Sequence, residues 1–361
     1  MKRIVMIAAV FLLLLGMVTC LGASAAYEEE EAEISGQVDE LLGEYDIGFG
    51  MSDLSGMGFG DFLSELRRTA ADRVSAPLKM LGALLIVIVF TAVVRTAGES
   101  LIPGEEPSRI YDMVCVITAV TVITPRLTAV YGRSLEAVER LGGFIALFVP
   151  VLAGLMIASG GITSGGFYNI TAITASEIIV GLSRSYLVPV LGLTAVLAVS
   201  GSVFPNSSGE AFLGLIKKVV TWGMTVVMTL FTGFVTLKCS LAAKADGVAT
   251  KTAKFMISGF VPVVGSAVSD AYSTVRGSFD VIGGTVGTAG IFAVLLIMLE
   301  PAAEIVLFRL VMWIGTAAAE MFSAEPVAKL LKGLDSGLAI AQSVLICYAV
   351  MFVISTAILI Q

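Results

Sequence analysis

Histidine is absent from this chain. With it go the commonest general base and the commonest metal ligand, so histidine-dependent hydrolases and zinc enzymes are excluded. Cysteine is scarce. The four cysteines, Cys20, Cys115, Cys239 and Cys347, have no paired spacing from which a disulfide framework or metal site could be read. No GxxxxGK[ST] run occurs, so any energy source must be another polypeptide, and no cofactor is implied. Charge is thin as well. Only 14% of the 361 residues are charged while 57% are hydrophobic, against about 25% and about 45–50% in soluble domains. That is the composition of an integral membrane protein. No basic patch is interleaved with aromatics, which leaves no footprint for a nucleic-acid partner.

The charge that is present is unevenly spread. Twelve of the 29 acids fall between Glu28 and Glu65 with no Lys or Arg among them, and the chain beyond is slightly basic. Residues 1–25 read as a cleavable signal: Lys2 and Arg3, an apolar run from Ile4 to Leu21, then Ala23-Ser24-Ala25, with cleavage after Ala25. Residues 26–76 then form an acidic extracytoplasmic region. Ile34, Val38, Leu41, Leu42 and Tyr45 recur at helical spacing and predict an amphipathic helix over 33–46. A glycine-rich stretch from Gly48 to Gly60 reads as a flexible link, and Phe62, Leu63, Leu66, Ala70 and Val74 mark a second amphipathic piece.

Residues 77–361 form a multi-pass transmembrane domain, which makes the expected class all-α and polytopic. Apolar segments near 78–95, 110–130, 142–160, 186–204, 219–237, 282–299, 302–319 and 338–360 each approach the ~20 residues that span hydrocarbon. That predicts about eight spans, with 238–254 a lysine-bearing cytoplasmic loop. Two stretches fit less well. Residues 161–183, rich in Gly, Ser and Thr, suit an interfacial or re-entrant helix. Residues 255–269 are short and are broken by Pro262 between Gly259 and Gly265; both a half-helix and a kinked span stay open.

Val-Pro-Val occurs three times, around Pro150, Pro189 and Pro262. A proline inside a helix frees a carbonyl, and in a bilayer such breaks are tolerated where neighbouring helices or a wet cavity satisfy it. The first two fall in segments long enough to be kinked spans; the third, next to Asp270, marks a candidate conduit element. Ionisable groups at membrane depth mark pathways or pairs. Asp270, Arg276 and Asp280 follow the broken segment, with Arg276 and Asp280 spaced for an i,i+4 pair. Glu300, Glu304 and Arg309 interrupt the run from 282 to 319. A tight turn at Glu300-Pro301 would leave both glutamates at the headgroups and only Arg309 embedded. Gly58-Phe59-Gly60-Asp61 and Tyr111-Asp112 superficially match membrane aspartyl proteases, but Asp61 lies in the water-exposed segment. Two carboxylates sharing a proton at membrane depth are therefore not supplied. The pairs Gly161/Gly165 and Gly283/Gly287 have small-xxx-small spacing, which allows close helix approach within the chain or in a homo-oligomer.

Gly165-Gly166-Phe167-Tyr168-Asn169 and the run Phe260-Val261-Pro262-Val263-Val264-Gly265-Ser266-Ala267-Val268-Ser269-Asp270, set in this layout, resemble the stage III sporulation protein AE family. The resemblance implies a non-enzymatic multi-pass subunit of a secretion or feeding channel that joins mother cell and forespore after engulfment. It would sit in the mother-cell-derived membrane around the forespore. Implied partners are membrane lipid, the other stage III sporulation A-operon proteins, including an ATPase and ring-forming subunits, and forespore protein Q. The same broken helices, with Asp270 beside Pro262, also suit an independent secondary transporter or permease.

Overall fold

The computed structural model describes residues 32–101, 105–204, 209–260 and 265–360, every one of its long elements a helix. The signal segment with its cleavage point after Ala25, and Pro262, lie outside the described residues.

The acidic region folds onto the rest of the chain. Helix α1 (32–44) buries Val38 and Leu42, the stripe its periodicity predicts. The glycine-rich stretch is not a loose link. It holds a short helix, α2 (Met51–Ser55), with Met51 and Leu54 buried, and the Met51 N–H donates to Asp39 Oδ1 of α1 at 2.6 Å. Asp53 and Asp61 accept the free amides of Gly50 at 3.3 Å and Gly58 at 3.0 Å, so both turns carry caps. Helix α3 (Phe59–Arg73) follows and leads directly into α4 (Ser75–Leu101).

Among the described residues the apolar segments are distributed over six helical stretches long and apolar enough to cross a membrane. Segments 110–130 and 142–160 lie on one helix, α5 (Glu105–Ala158), and 282–299 and 302–319 on another, α9 (Gly265–Met321). Helix α6 (Ile162–Leu182) passes through a π-helical turn, Ser183–Leu187, into α7 (Val188–Val203), so 161–183 continues the span at 186–204. The lysine-bearing 238–254 is no loop but part of α8 (Gly209–Phe260), and α10 (Glu325–Ile360) closes the chain.

These joins have physical causes. Pro189 cannot supply the N–H that the Ser185 carbonyl would accept, and the π turn just before it widens the helix where the proline ring would clash. At Pro301 the carbonyl of Ile297 loses its partner, yet both residues border a cavity of about 120 Å³ lined with Arg133, Glu136, Arg140, Glu300 and Glu304. A polar surround at that point lets α9 run on without the turn expected at Glu300-Pro301.

The core sits around α10, which is buried on several sides, with Leu331, Leu338, Ile340, Ala341, Leu345 and Tyr348 among its inward positions. An all-round apolar helix belongs at a bundle centre. Helix α9 runs antiparallel along α5: Gly283 meets Met156, Gly287 meets Leu152, Gly290 meets Phe148, and Arg133 pairs with Glu304. A ladder of rings, Tyr45–Phe144 at 5.5 Å, Phe144–Phe148 at 5.2 Å and Phe148–Phe352 at 6.3 Å, ties α1 through α5 to α10.

Close approaches use glycine where any Cβ would collide. A Cβ on Gly165 would stand 2.8 Å from the Ala153 carbonyl, which brings α6 onto the α5 backbone. Within the same Gly-Gly-Phe-Tyr-Asn motif, Phe167 faces Phe234 of α8 at 5.8 Å, and the hydroxyls of Tyr168 and Thr356 of α10 lie 2.8 Å apart. Three residues of one motif, Gly165, Phe167 and Tyr168, thus attach α6 to three neighbours, and both small-xxx-small pairs are spent inside the chain.

Candidate functional site: a threonine-lined groove

Thr221, Thr225, Thr229, Thr232 and Thr236 follow one another at steps of four, four, three and four, which sets all five on one face of α8. The hydroxyls of Thr225, Thr229 and Thr236 donate to the carbonyls one turn back at 2.8, 2.8 and 2.7 Å. Such back-bonding lets a hydroxyl live on an apolar helix while its oxygen lone pairs stay available. This face looks across a groove of about 1180 Å³ at Ala339, Gln342, Ser343, Ile346 and Cys347 of α10.

Two cations border the groove, Lys217 of α8 and Arg309 of α9. Arg309 is a held group. Its Nε donates to Asp335 Oδ1 at 2.8 Å and its Nη1 to Gln342 Oε1 at 2.6 Å, and its guanidinium lies 5.2 Å from the Trp313 ring centroid. The Arg309–Asp335 pair is largely buried, with side-chain exposures of 20% and 13%. Lys217 makes no ion pair among the described residues.

A second polar set gathers where α5 turns into α6. Gly161, the cap residue of α6, has no side chain to offer the first helical amides. Asp246 of α8 takes that role from outside the helix, accepting the N–H of Thr163 and of Ser164 at 2.9 Å each and the Ser164 hydroxyl at 2.7 Å. Gly160 adopts φ +88°, a conformation glycine takes without steric cost, and the guanidinium of Arg276 lies against it. Ser159, Asp246, Arg276 and Asp280 border a cavity of about 360 Å³ here.

A third layer is a belt of ion pairs midway along the bundle. Arg133 binds buried Glu304 through two nitrogens, Arg73 of α3 binds Glu300, and Arg140 donates to the Tyr45 carbonyl at 2.9 Å. Burial pushes the Tyr45 phenol up, Glu44 adds to the shift and Arg140 opposes it.

The candidate residues from the sequence thus part company. Arg309 borders the groove, and Arg276 and Asp280 border the apical cavity, though Arg276 hydrogen-bonds Thr250 Oγ1 rather than pairing with Asp280. Glu300 joins the belt. Glu304, expected at the headgroups, is buried inside the bundle because its charge is matched by Arg133. Pro150 and Pro189 sit in continuous helix. Gly259 lies near the end of α8 and Gly265 opens α9, while Asp270 is in the first part of α9. The threonine face and Asp246 were missed from sequence. The threonine spacing was there to find; the role of Asp246 depends on a helix end 82 residues away.

Long apolar helices flanking a threonine-lined groove define the class: an all-α, multi-pass membrane protein. Residues 50–361 match the family model described as stage III sporulation protein AE, and the chain belongs to that family. It is 22% identical over 282 residues to stage III sporulation protein AE of Bacillus subtilis (strain 168), a match that covers 78% of this chain and 70% of that one. No solved structure matches. Membership places the chain in sporulation.

Proposed function

We propose that this chain is a non-enzymatic membrane subunit of a sporulation-specific secretion or feeding channel between mother cell and forespore, needed after engulfment. The observation that carries this reading is the groove: five hydroxyls aligned on a helix of membrane-crossing length, facing an open groove rather than the core. Polar groups at such depth serve where they line an aqueous path. In this reading the path is completed by further copies or by partners. The resemblance supplies the partners, an ATPase and ring-forming products of the same operon and forespore protein Q, and the setting, the mother-cell-derived membrane; the cleavable signal puts residues 26–76 outside the cytoplasm.

The test is genetic and structural at once. Deleting the gene in a spore former should arrest development after engulfment. Re-expression of a Thr225→Val, Thr229→Val, Thr232→Val variant should restore the protein to the membrane without restoring spores, since valine keeps the shape and removes the hydroxyls. Normal spores from that variant would sink the groove as the working surface.

A second reading, an independent secondary transporter, is favoured by the apical cavity, where a helix start, Asp246, Arg276 and Asp280 converge. It requires uptake or efflux by the purified protein alone in liposomes.

A further inference from the structure

The groove carries a sign. Among the described residues its only formally charged lining groups are Lys217 and Arg309, with no carboxylate beside them. Asp335 neutralises much of the Arg309 charge but does not itself line the groove. Lys217 is half-buried and uncompensated by any ion pair among the described residues. The helix that forms this wall reinforces the bias: from Ala211 to Ala245 it bears Lys217, Lys218, Lys238 and Lys244 and no acid at all. The next residue, Asp246, has both carboxylate oxygens engaged by the start of α6.

The neutral lining points the same way. Gln342 gives its Oε1 to Arg309, so the amide turns its NH₂ donors elsewhere, within a residue that borders the groove. Between low-dielectric walls a fixed charge acts much farther than in water, and lysine and arginine linings are what anion-conducting paths use.

We infer that the α8–α10 groove admits small anionic solutes, carboxylated or phosphorylated, in preference to cations. This rests on the reading of the groove as a water-lined path and names the class of solute it passes.

Charged thiol reagents test the two statements separately. Cys20, Cys115, Cys239 and Cys347 are replaced by serine or alanine in the full chain, and single Thr225→Cys, Thr229→Cys and Thr232→Cys variants are reconstituted in neutral phosphatidylcholine vesicles. A Leu230→Cys variant, on the exposed side of α8, is the control. Rates with anionic sulfonatoethyl and cationic trimethylammonioethyl methanethiosulfonate are each divided by the rate with a free small thiol. The groove cysteines should favour the anionic reagent, by about tenfold at Thr225→Cys, roughly 12 Å along the helix from Lys217, and by less at Thr229→Cys and Thr232→Cys, which lie farther from it, and Lys217→Gln should bring the ratio close to that of Leu230→Cys. Arg309→Gln combined with Asp335→Asn, which removes a matched pair, should change the ratio far less.

Rapid labelling with equal or cation-favouring rates would overturn the anion preference and leave the wet path standing. No labelling of the groove positions, in protein that labels fully once denatured, would overturn the path itself. A preference abolished by added phosphatidylglycerol would assign the site to lipid headgroups and overturn the solute reading.

Discussion

Glu304 is the residue on which the middle of the bundle depends most. Its side chain is 6% exposed and its charge is held by Arg133, whose own side chain is 42% exposed. Removing the arginine leaves a buried carboxylate without its partner, whereas removing both charges does not. Arg133→Ala should therefore destabilise the protein by about 3 kcal/mol, the low end of the range for broken buried pairs because Arg133 keeps contact with solvent. Arg133→Leu with Glu304→Leu should recover most of that loss. Thermal unfolding in detergent reads both, and equal losses from the single and double changes would contradict the pairing. At this scale the sequence singled out Glu304 but not Arg133. Arg133 and Glu304 are 171 residues apart, and nothing local to either one reveals the other.

Among the membrane-crossing elements, α6 starts on support from a distant helix, α8. A glycine at its cap position leaves the first amides open, and Asp246 of α8 closes them. Asp246→Asn keeps the shape and loses the charge, so α6 should lose about 1 kcal/mol of support at its first turn. Hydrogen exchange of the amides at Thr163 and Ser164 should speed up about fivefold, while the amides of α10 stay unchanged; unaltered exchange at 163–164 would rule the cap out. The helices themselves were legible from their apolar runs, but their lengths were not. The interval between the expected spans 110–130 and 142–160 is helix, and it carries Arg133, Glu136, Glu139 and Arg140; a charged turn and a charged helix midpoint read alike in sequence. The distinction lies in tertiary pairing, with Glu139 bound to Arg184 at 2.5 Å and Arg140 to the Tyr45 carbonyl. Likewise the threonine spacing on α8 was visible, but a stripe does not say whether lipid, core or a groove faces it.

For the whole molecule the continuity of α5 and α9 sets the dimensions. Each offers 49 residues of crossing-competent helix, roughly 74 Å at about 1.5 Å per residue, against about 30 Å of hydrocarbon. Two contacts at separate heights define this arrangement: Met156 with Gly283, where a Cβ would stand 3.6 Å from the methionine sulfur, and Arg133 with Glu304. Met156→Cys with Gly283→Cys, and Arg133→Cys with Glu304→Cys, should each cross-link within one chain under a short bifunctional thiol reagent. A hairpin at Pro301 would carry one pair out of reach, so one linked and one unlinked pair would overturn the continuous α9. The π turn before Pro189 acts over the same distance. From Ile179 through Ser183 and Leu187 to Leu191 the buried positions step by four three times running, and each such step drifts about 40° around a plain α-helix. One surplus residue, absorbed in the wide turn, cancels that drift and keeps Thr194 and Ala198 facing α10. Deleting a residue elsewhere in α6 or α7 would rotate everything downstream by about 100°. Deleted from Ser183–Leu187, it would leave both halves in phase and set Pro189 in ordinary helix, as Pro150 and Pro301 already are. Along this wall of the bundle, those five positions are where the gene can change length by one codon and keep the same face inward.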